Sequence, residues 1–164
     1  MKTITYLPIM VLIVMLSFSC STDNLDESVS NPETNLVVPE TKPIEIEILD
    51  LINEHRLSLG LNALESMSII KSQAYSHTDY MIEKDNVSHD NFFSRKNYLV
   101  NNAGANIVSE NVAYGYTRAE SLVNAWLASP GHKENIEGDF TNFDISAEQN
   151  SQGKWYYTNI FVKK

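Results

Sequence analysis

The sequence predicts a mixed α+β domain in which helices cover a small sheet. Two observations carry that reading: apolar residues recur at helical spacing in three separate stretches, and the C-terminal stretch reads as two strands about a polar turn. A third observation bounds it, because 164 residues suit one folded unit plus a targeting segment.

From residue 43 to residue 59, Ile48, Ile52 and Leu59 share a helical stripe, Pro43 suits a first-turn position and Gly60 a C-terminal stop. A second helix is marked by Met67, Ile70, Ala74 and Met81, with His77 completing the face. Residues 85–106 are polar and dense in asparagine and read mostly as a loop pinned by Phe92, Phe93 and Tyr98. Thr117-Arg118-Ala119-Glu120 fits a capping box, and Ala119, Val123 and Trp126 carry a third helix to the break at Ser129-Pro130-Gly131. Two strands are expected over 144–148 and 154–162, joined by Asn150-Ser151-Gln152-Gly153. The run Trp155-Tyr156-Tyr157 alternates between core and surface on the second of them.

Composition excludes several function classes. A hydrophobic share of 43% with eight Tyr, six Phe and two Trp is too apolar for a disordered chain. Twelve basic against 21 acidic residues give a net charge of −9, which repels phosphate backbones, so no nucleic-acid partner is expected. With one cysteine, neither a disulfide framework nor a thiolate zinc cage can form within the chain, so any metal must use His, Asp or Glu.

The N-terminus reads as an address. Lys2 precedes an apolar run from Tyr6 to Leu16, too short and too interrupted by Pro8 for a permanent span, which needs about 20 apolar residues. Leu16-Ser17-Phe18-Ser19-Cys20 resembles a bacterial lipobox, with small Ser19 before the cysteine and Leu16 one place upstream of the usual leucine. The expected organisation is a signal peptide over 1–19, a lipidated Cys20 and polar tether over 20–42, and a folded domain over 43–164. The other reading is a secreted protein with a free Cys20. Acylation of Cys20 with more than one chain would make the membrane a stable partner.

Four histidines fall into two groups. His55 and His77 lie in helices at the edge of apolar stripes, where packing or a structural hydrogen bond is the expected role. His89 lies outside the periodic segments, and His132 follows a Pro-Gly break that opens a new helical turn, where the helix dipole disfavours the cationic imidazole. Glu110 is a carboxylate within an otherwise apolar, small-residue stretch and wants a partner. Two histidines and a glutamate form a recognised zinc set, and a hydrogen-bonded cluster without metal is the competing reading. No His-Glu-x-x-His motif is present. Ser129 and His132 are spaced as a nucleophile and its base, but no acid is visibly placed to orient the imidazole.

Taken together, these segments carry a resemblance. Leu51-Ile52-Asn53-Glu54-His55-Arg56, Gly60-Leu61, Ser88-His89, Ser109-Glu110-Asn111-Val112-Ala113-Tyr114-Gly115, Trp126-Leu127-Ala128-Ser129-Pro130-Gly131-His132, Asn135-Ile136 and Tyr157-Thr158-Asn159-Ile160-Phe161 occur in the order seen in the CAP superfamily. That superfamily groups cysteine-rich secretory proteins, venom antigens and plant pathogenesis-related proteins, and the chain resembles its short bacterial branch. The resemblance covers about Ile48 to Phe161, and the Trp-x-x-Ser-Pro-Gly-His segment is its most specific part. It implies an α-β-α sandwich with a small, mostly antiparallel sheet. It also implies a cleft lined by His89, Glu110 and His132, with Ser129 and Asn111 beside them, in which some members hold zinc or another divalent cation. Many eukaryotic members carry a second glutamate where this chain has Ser129, and its loss removes a candidate general base and weakens the case for hydrolysis; Glu110 is the candidate catalytic residue under the hydrolase alternative. Glu137 and Ser146 stand where an aliphatic residue and a glycine are usual.

The expected function is that of a cell-envelope lipoprotein whose domain binds an unidentified extracellular ligand, facing the periplasm or the cell surface, or secreted if Cys20 is free. A metal-dependent hydrolase of peptides or envelope polymers is the first alternative, and a lipid or sterol carrier the second. Fold resemblance leaves the choice to the site.

Overall fold

The computed structural model describes Met1 and residues 37–164. The expected leader, Cys20 and the tether up to residue 36 lie outside the described residues. The elements run α1 (Pro43–Ser58), β1 (Glu65–Ser66), α2 (Ser68–Lys84), α3 (Phe92–Ala103), β2 (Ile107–Tyr114), α4 (Ala119–Ala128), α5 (Pro130–Glu137), β3 (Asn142–Gln149) and β4 (Trp155–Lys163). The four strands form one sheet in the order β1-β3-β4-β2, with β1 parallel to β3 and the other pairs antiparallel. Among the described residues no helix is long and apolar enough to cross a membrane.

Strand alternation sorts the side chains into two layers. Phe143, Ile145 and Ala147 of β3 and Tyr157 and Phe161 of β4 pack with Ile48 and Ile52 of α1 and Leu122, Val123 and Trp126 of α4. On the opposite face, Ile160 and Val162 of β4 and Val108 of β2 meet Ile70 and Ala74 of α2 and Leu99 of α3. The sheet is thus covered on both faces, an α-β-α arrangement.

Several local expectations change. The stretch expected to be a loop contains α3, whose Phe92, Leu99 and Ala103 pack into the second layer. Its asparagines hid the stripe. Asn97, Asn101 and Asn102 are exposed while Arg95 is buried, and the helix closes at Gly104, which holds the left-handed conformation common after a helix end. Leu59 is exposed rather than on the buried stripe of α1, and Arg56 takes that place. Its guanidinium donates to the carbonyls of Asn62, Ile136 and Gly138, tying α1 to the end of α5. The stop at Gly60 holds: at φ +75° it lets Gly60 N–H reach Leu57 O and Leu61 N–H reach Arg56 O. The capping box at Thr117 does not form. Arg118 is the N-cap and pairs with Glu120. The expected hairpin is present, with Asn150 Oδ1 accepting from the backbone of Gln152 and Lys154. Glu137, unusual for its position, accepts from His55 Nε2 at 2.8 Å.

A buried polar cluster joins α1, α2 and β3. Glu45 is fully buried and ion-paired with Lys71 at 2.6 Å, and it also accepts from Ala147 N–H at 2.7 Å. Asp144, next in the cluster, accepts from the backbone N–H of Met67 and Ile145, yet burial raises its carboxyl from the ordinary 3.8 to about 6. A raised carboxyl binds its proton more tightly in the folded state. Its contribution is therefore most favourable below pH 4 and is lost as pH rises through 6, by about 3 kcal/mol. Urea midpoints at pH 4.5 and pH 7 should reveal this: Asp144→Asn should gain on the parent protein as pH rises. An equal difference at both pH values would rule the effect out.

Candidate functional site

Edge strand β2 organises the site because its alternating side chains serve both layers. Glu110 points to the α2/α3 layer and Asn111 to the α4/α5 layer. Glu110 is 5% exposed and is gripped by Arg95 of α3, with Nε 2.8 Å from Oε2 and Nη2 2.8 Å from Oε1. This fork-on-fork geometry is among the strong hydrogen-bonded pairings open to a carboxylate. Arg95 Nη1 also donates to Asp90 O at 2.7 Å, fixing the loop that carries His89.

His89 Nδ1 lies 2.9 Å from Glu110 Oε1. A carboxylate accepts, so Nδ1 carries the proton, which leaves Nε2 of the neutral ring with a free lone pair. His77, whose Nε2 donates to Ser88 O at 2.8 Å, sits behind this pair at 3.8 Å from Glu110. It anchors the residue before His89, the structural role expected of it. Burial lowers the pKa of His77, with Glu110 opposing that shift.

On the other side of β2, Asn111 Nδ2 donates to His132 O at 3.0 Å, while Asn135 Nδ2 donates to Asn111 Oδ1 at 2.8 Å and Glu110 O at 3.3 Å. These amides stitch α5 to the strand edge and so set where His132 stands. The His132 ring lies with Nδ1 2.9 Å from Ser129 Oγ, the N-cap residue of α5, whose hydroxyl makes no backbone cap. Burial lowers the pKa of His132, and the nearby His89 lowers it further, so the neutral ring expected here owes its state to desolvation and its neighbour. A groove of about 650 Å³ opens beside it, lined by His132, Ser129 and Trp126 on one side and Val112, Ala113 and Tyr114 on the other.

His89 and Glu110 therefore meet directly. Ser129, Asn111 and His132 form an adjoining set, and His89 is near enough to His132 to be felt electrostatically. Glu110 does not join the two histidines as a third metal ligand in this arrangement, because both its oxygens are bonded to Arg95. Among the described residues no group of three or more His, Cys, Asp or Glu is placed to hold a metal ion. The donors that remain of the expected set are the two imidazoles, His89 and His132. Each uses Nδ1 in a hydrogen bond to an oxygen, the outer-shell arrangement by which proteins orient metal-binding histidines.

Arg95 is the residue that sequence reasoning missed. It stands three residues after Phe92 and four before Leu99, so once the helix is known, a cation on the apolar stripe signals a buried partner.

Comparison with known proteins accords with this geometry. The profile of the family described as CAP, cysteine-rich secretory protein family, matches residues 49–161. The uncharacterized membrane protein YlbC of Bacillus subtilis (strain 168) is 31% identical over 124 residues, covering 73% of this chain and 34% of that protein. The chain thus spans about a third of that relative. An outer surface protein from Borrelia burgdorferi superposes with a TM-score of 0.69 at 24% identity, over 77% of this chain and 96% of that one. An extracellular protein containing an SCP domain from Bacillus anthracis str. Ames superposes with a TM-score of 0.64 at 22% identity, over 77% of this chain and 45% of that one. At these identities the structural likeness concerns the fold.

Proposed function

The chain belongs to the cysteine-rich secretory protein (CAP) family, and from that membership we propose that it is a non-catalytic, extracytoplasmic binding module displayed on a lipidated Cys20. Its groove captures a ligand beside a histidine pair that can hold a divalent cation such as zinc. The observation that carries this reading is the Arg95–Glu110 fork. A general base must accept a proton from water, and a carboxylate with both oxygens committed to a guanidinium is poorly suited to that task. Rigid, fully paired and adjacent to an open groove, Glu110 serves instead to hold His89 in one tautomer.

The groove volume falls within the roughly 300–1,000 Å³ typical of small-molecule sites. Its mixed lining of Trp126, Tyr114 and aliphatic carbons with Ser129 and His132 suits a ligand with an apolar body and a polar end. A divalent cation held by His89 and His132 would supply positive charge and open coordination positions for that polar end. The outward location is supported by the lipobox-like Cys20 and by relatives named as membrane, outer surface and extracellular proteins.

The Ser129–His132 contact meets the distance expected of a nucleophile and its base. The arrangement stops short of a triad, since no carboxylate among the described residues bonds the other nitrogen of His132.

Calorimetric titration of the purified protein with zinc tests the proposal. One zinc per chain is expected, with binding lost in both His89→Ala and His132→Ala. Binding that survives either change would remove the histidine pair. Peptide or envelope-polymer hydrolysis that a chelator abolishes, and that Glu110→Gln also abolishes, would overturn the non-catalytic reading in favour of a metal hydrolase.

A further inference from the structure

A second cavity lies on the far side of the Glu110 cluster, between α2 and α3, with a volume of about 330 Å³. Packed helices usually meet through apolar stripes. Here α2 contributes Gln73, Ser76, His77 and Tyr80, which share one face by their spacing. The opposing wall is Asn91, Ser94, Arg95 and Tyr98, at the same spacing along α3. Two matched polar stripes facing one another leave a cleft where a seam would be expected.

The chemistry of the walls narrows what would fill it. His77 must carry its proton on Nε2, because the Ser88 carbonyl it touches can only accept, so Nδ1 is an acceptor. Among the described residues that buried atom has no partner, an unmet acceptor that a hydroxyl donor entering the cleft would satisfy. The one cation of the lining, Arg95, is already matched by Glu110, and the Asp90 carboxylate, outside the lining, accepts from the Tyr80 hydroxyl. An anion would find no unpaired cation on the walls, and no carboxylate is among the lining side chains to attract a cation. The rest of the wall is amide and hydroxyl, and the half-buried Tyr80 ring, stacked with buried His77 at 5.9 Å and 15°, supplies the aromatic surface. A sugar ring matches these features, with an apolar C–H face to lie on the aromatic plane and a rim of hydroxyls that both donate and accept.

We propose that the cleft between α2 and α3 is a second binding site, distinct from the groove beside His132, that takes a neutral polyhydroxylated ligand, a single sugar unit of a glycan. His77 and Arg95, which line the cleft, also anchor the His89 loop through Ser88 O and Asp90 O, so the cleft adjoins the side chains that position His89.

The test is a nuclear magnetic resonance titration of the full chain with methyl β-glucoside and, separately, N-acetylglucosamine, using inorganic phosphate as the ionic control. Saturable shifts of the Gln73 and Asn91 side-chain amides with at least one sugar, and none with phosphate, are expected. Ser76→Leu and Ser94→Leu fill the cleft without touching its ion pairs, so both should fold normally and weaken the sugar about tenfold or more while zinc binding is unchanged. The proposal fails if neither sugar gives saturable shifts, which would make the cleft a water-filled seam. It also fails if phosphate moves the same amides, if both leucine variants bind sugar like the parent, or if the shifts map to the groove beside His132.

Discussion

Replacing Arg95 with methionine should destabilise the domain by about 3–5 kcal/mol, the range seen when one partner of a buried ion pair is removed. The cost arises from what is left behind. Glu110 would remain 5% exposed with its charge uncompensated, and Asp90 O would lose its donor at the base of the His89 loop. Chemical unfolding of the parent, Arg95→Met, Glu110→Gln and the double variant isolates the pair. The double variant should be more stable than Arg95→Met alone, because a neutral amide replaces the stranded carboxylate. A loss under about 1 kcal/mol in Arg95→Met would place the pair among exposed salt bridges and would also remove the argument that Glu110 is held out of catalysis.

Lys71→Met should have an effect of similar size in the opposite half of the domain. Lys71 Nζ is 2% exposed, lies 2.6 Å from Glu45 and donates to Ile145 O at 2.7 Å, so its loss strands a fully buried carboxylate and a strand carbonyl together. Asp144 aggravates the deficit, since Lys71 is the cation that opposes the burial-driven rise of its carboxyl. A destabilisation of about 3–5 kcal/mol is expected at pH 7, easing at about pH 5 as Asp144 takes up its proton. Adding Glu45→Gln should recover part of the loss. If the single variant unfolds at the parent's urea midpoint, the cluster is not what joins α1 and α2 to the sheet.

Much of the fold was legible because periodicity is local. Ile48 and Ile52 mark α1, and Ile70, Ala74 and Met81 mark α2; the alternation expected to put one of Tyr156 and Tyr157 at the surface instead buries both, one on each face, because helices cover both sides of the sheet. Where polar residues dominated the composition, the stripe was lost, which is why α3 read as a loop although Phe92 and Leu99 lie on one face. His89, Glu110, Asn111, Ser129 and His132 were singled out by their setting and by the family resemblance, but neither could say which of them touch.

The sequence by itself determined the α+β class, the helical stripes, the C-terminal hairpin and the acidic charge, because each follows from spacing or composition. Only the tertiary structure decided that Glu110 belongs to Arg95, that Glu45 belongs to Lys71, that Arg56 replaces Leu59 on the buried stripe, and that α2 and α3 leave a polar cleft between them. The reason is physical. Burial of one face is written into residue spacing along a single element, whereas the partner of a buried charge is chosen by how separate elements pack, and no local pattern encodes which guanidinium or ammonium will arrive there.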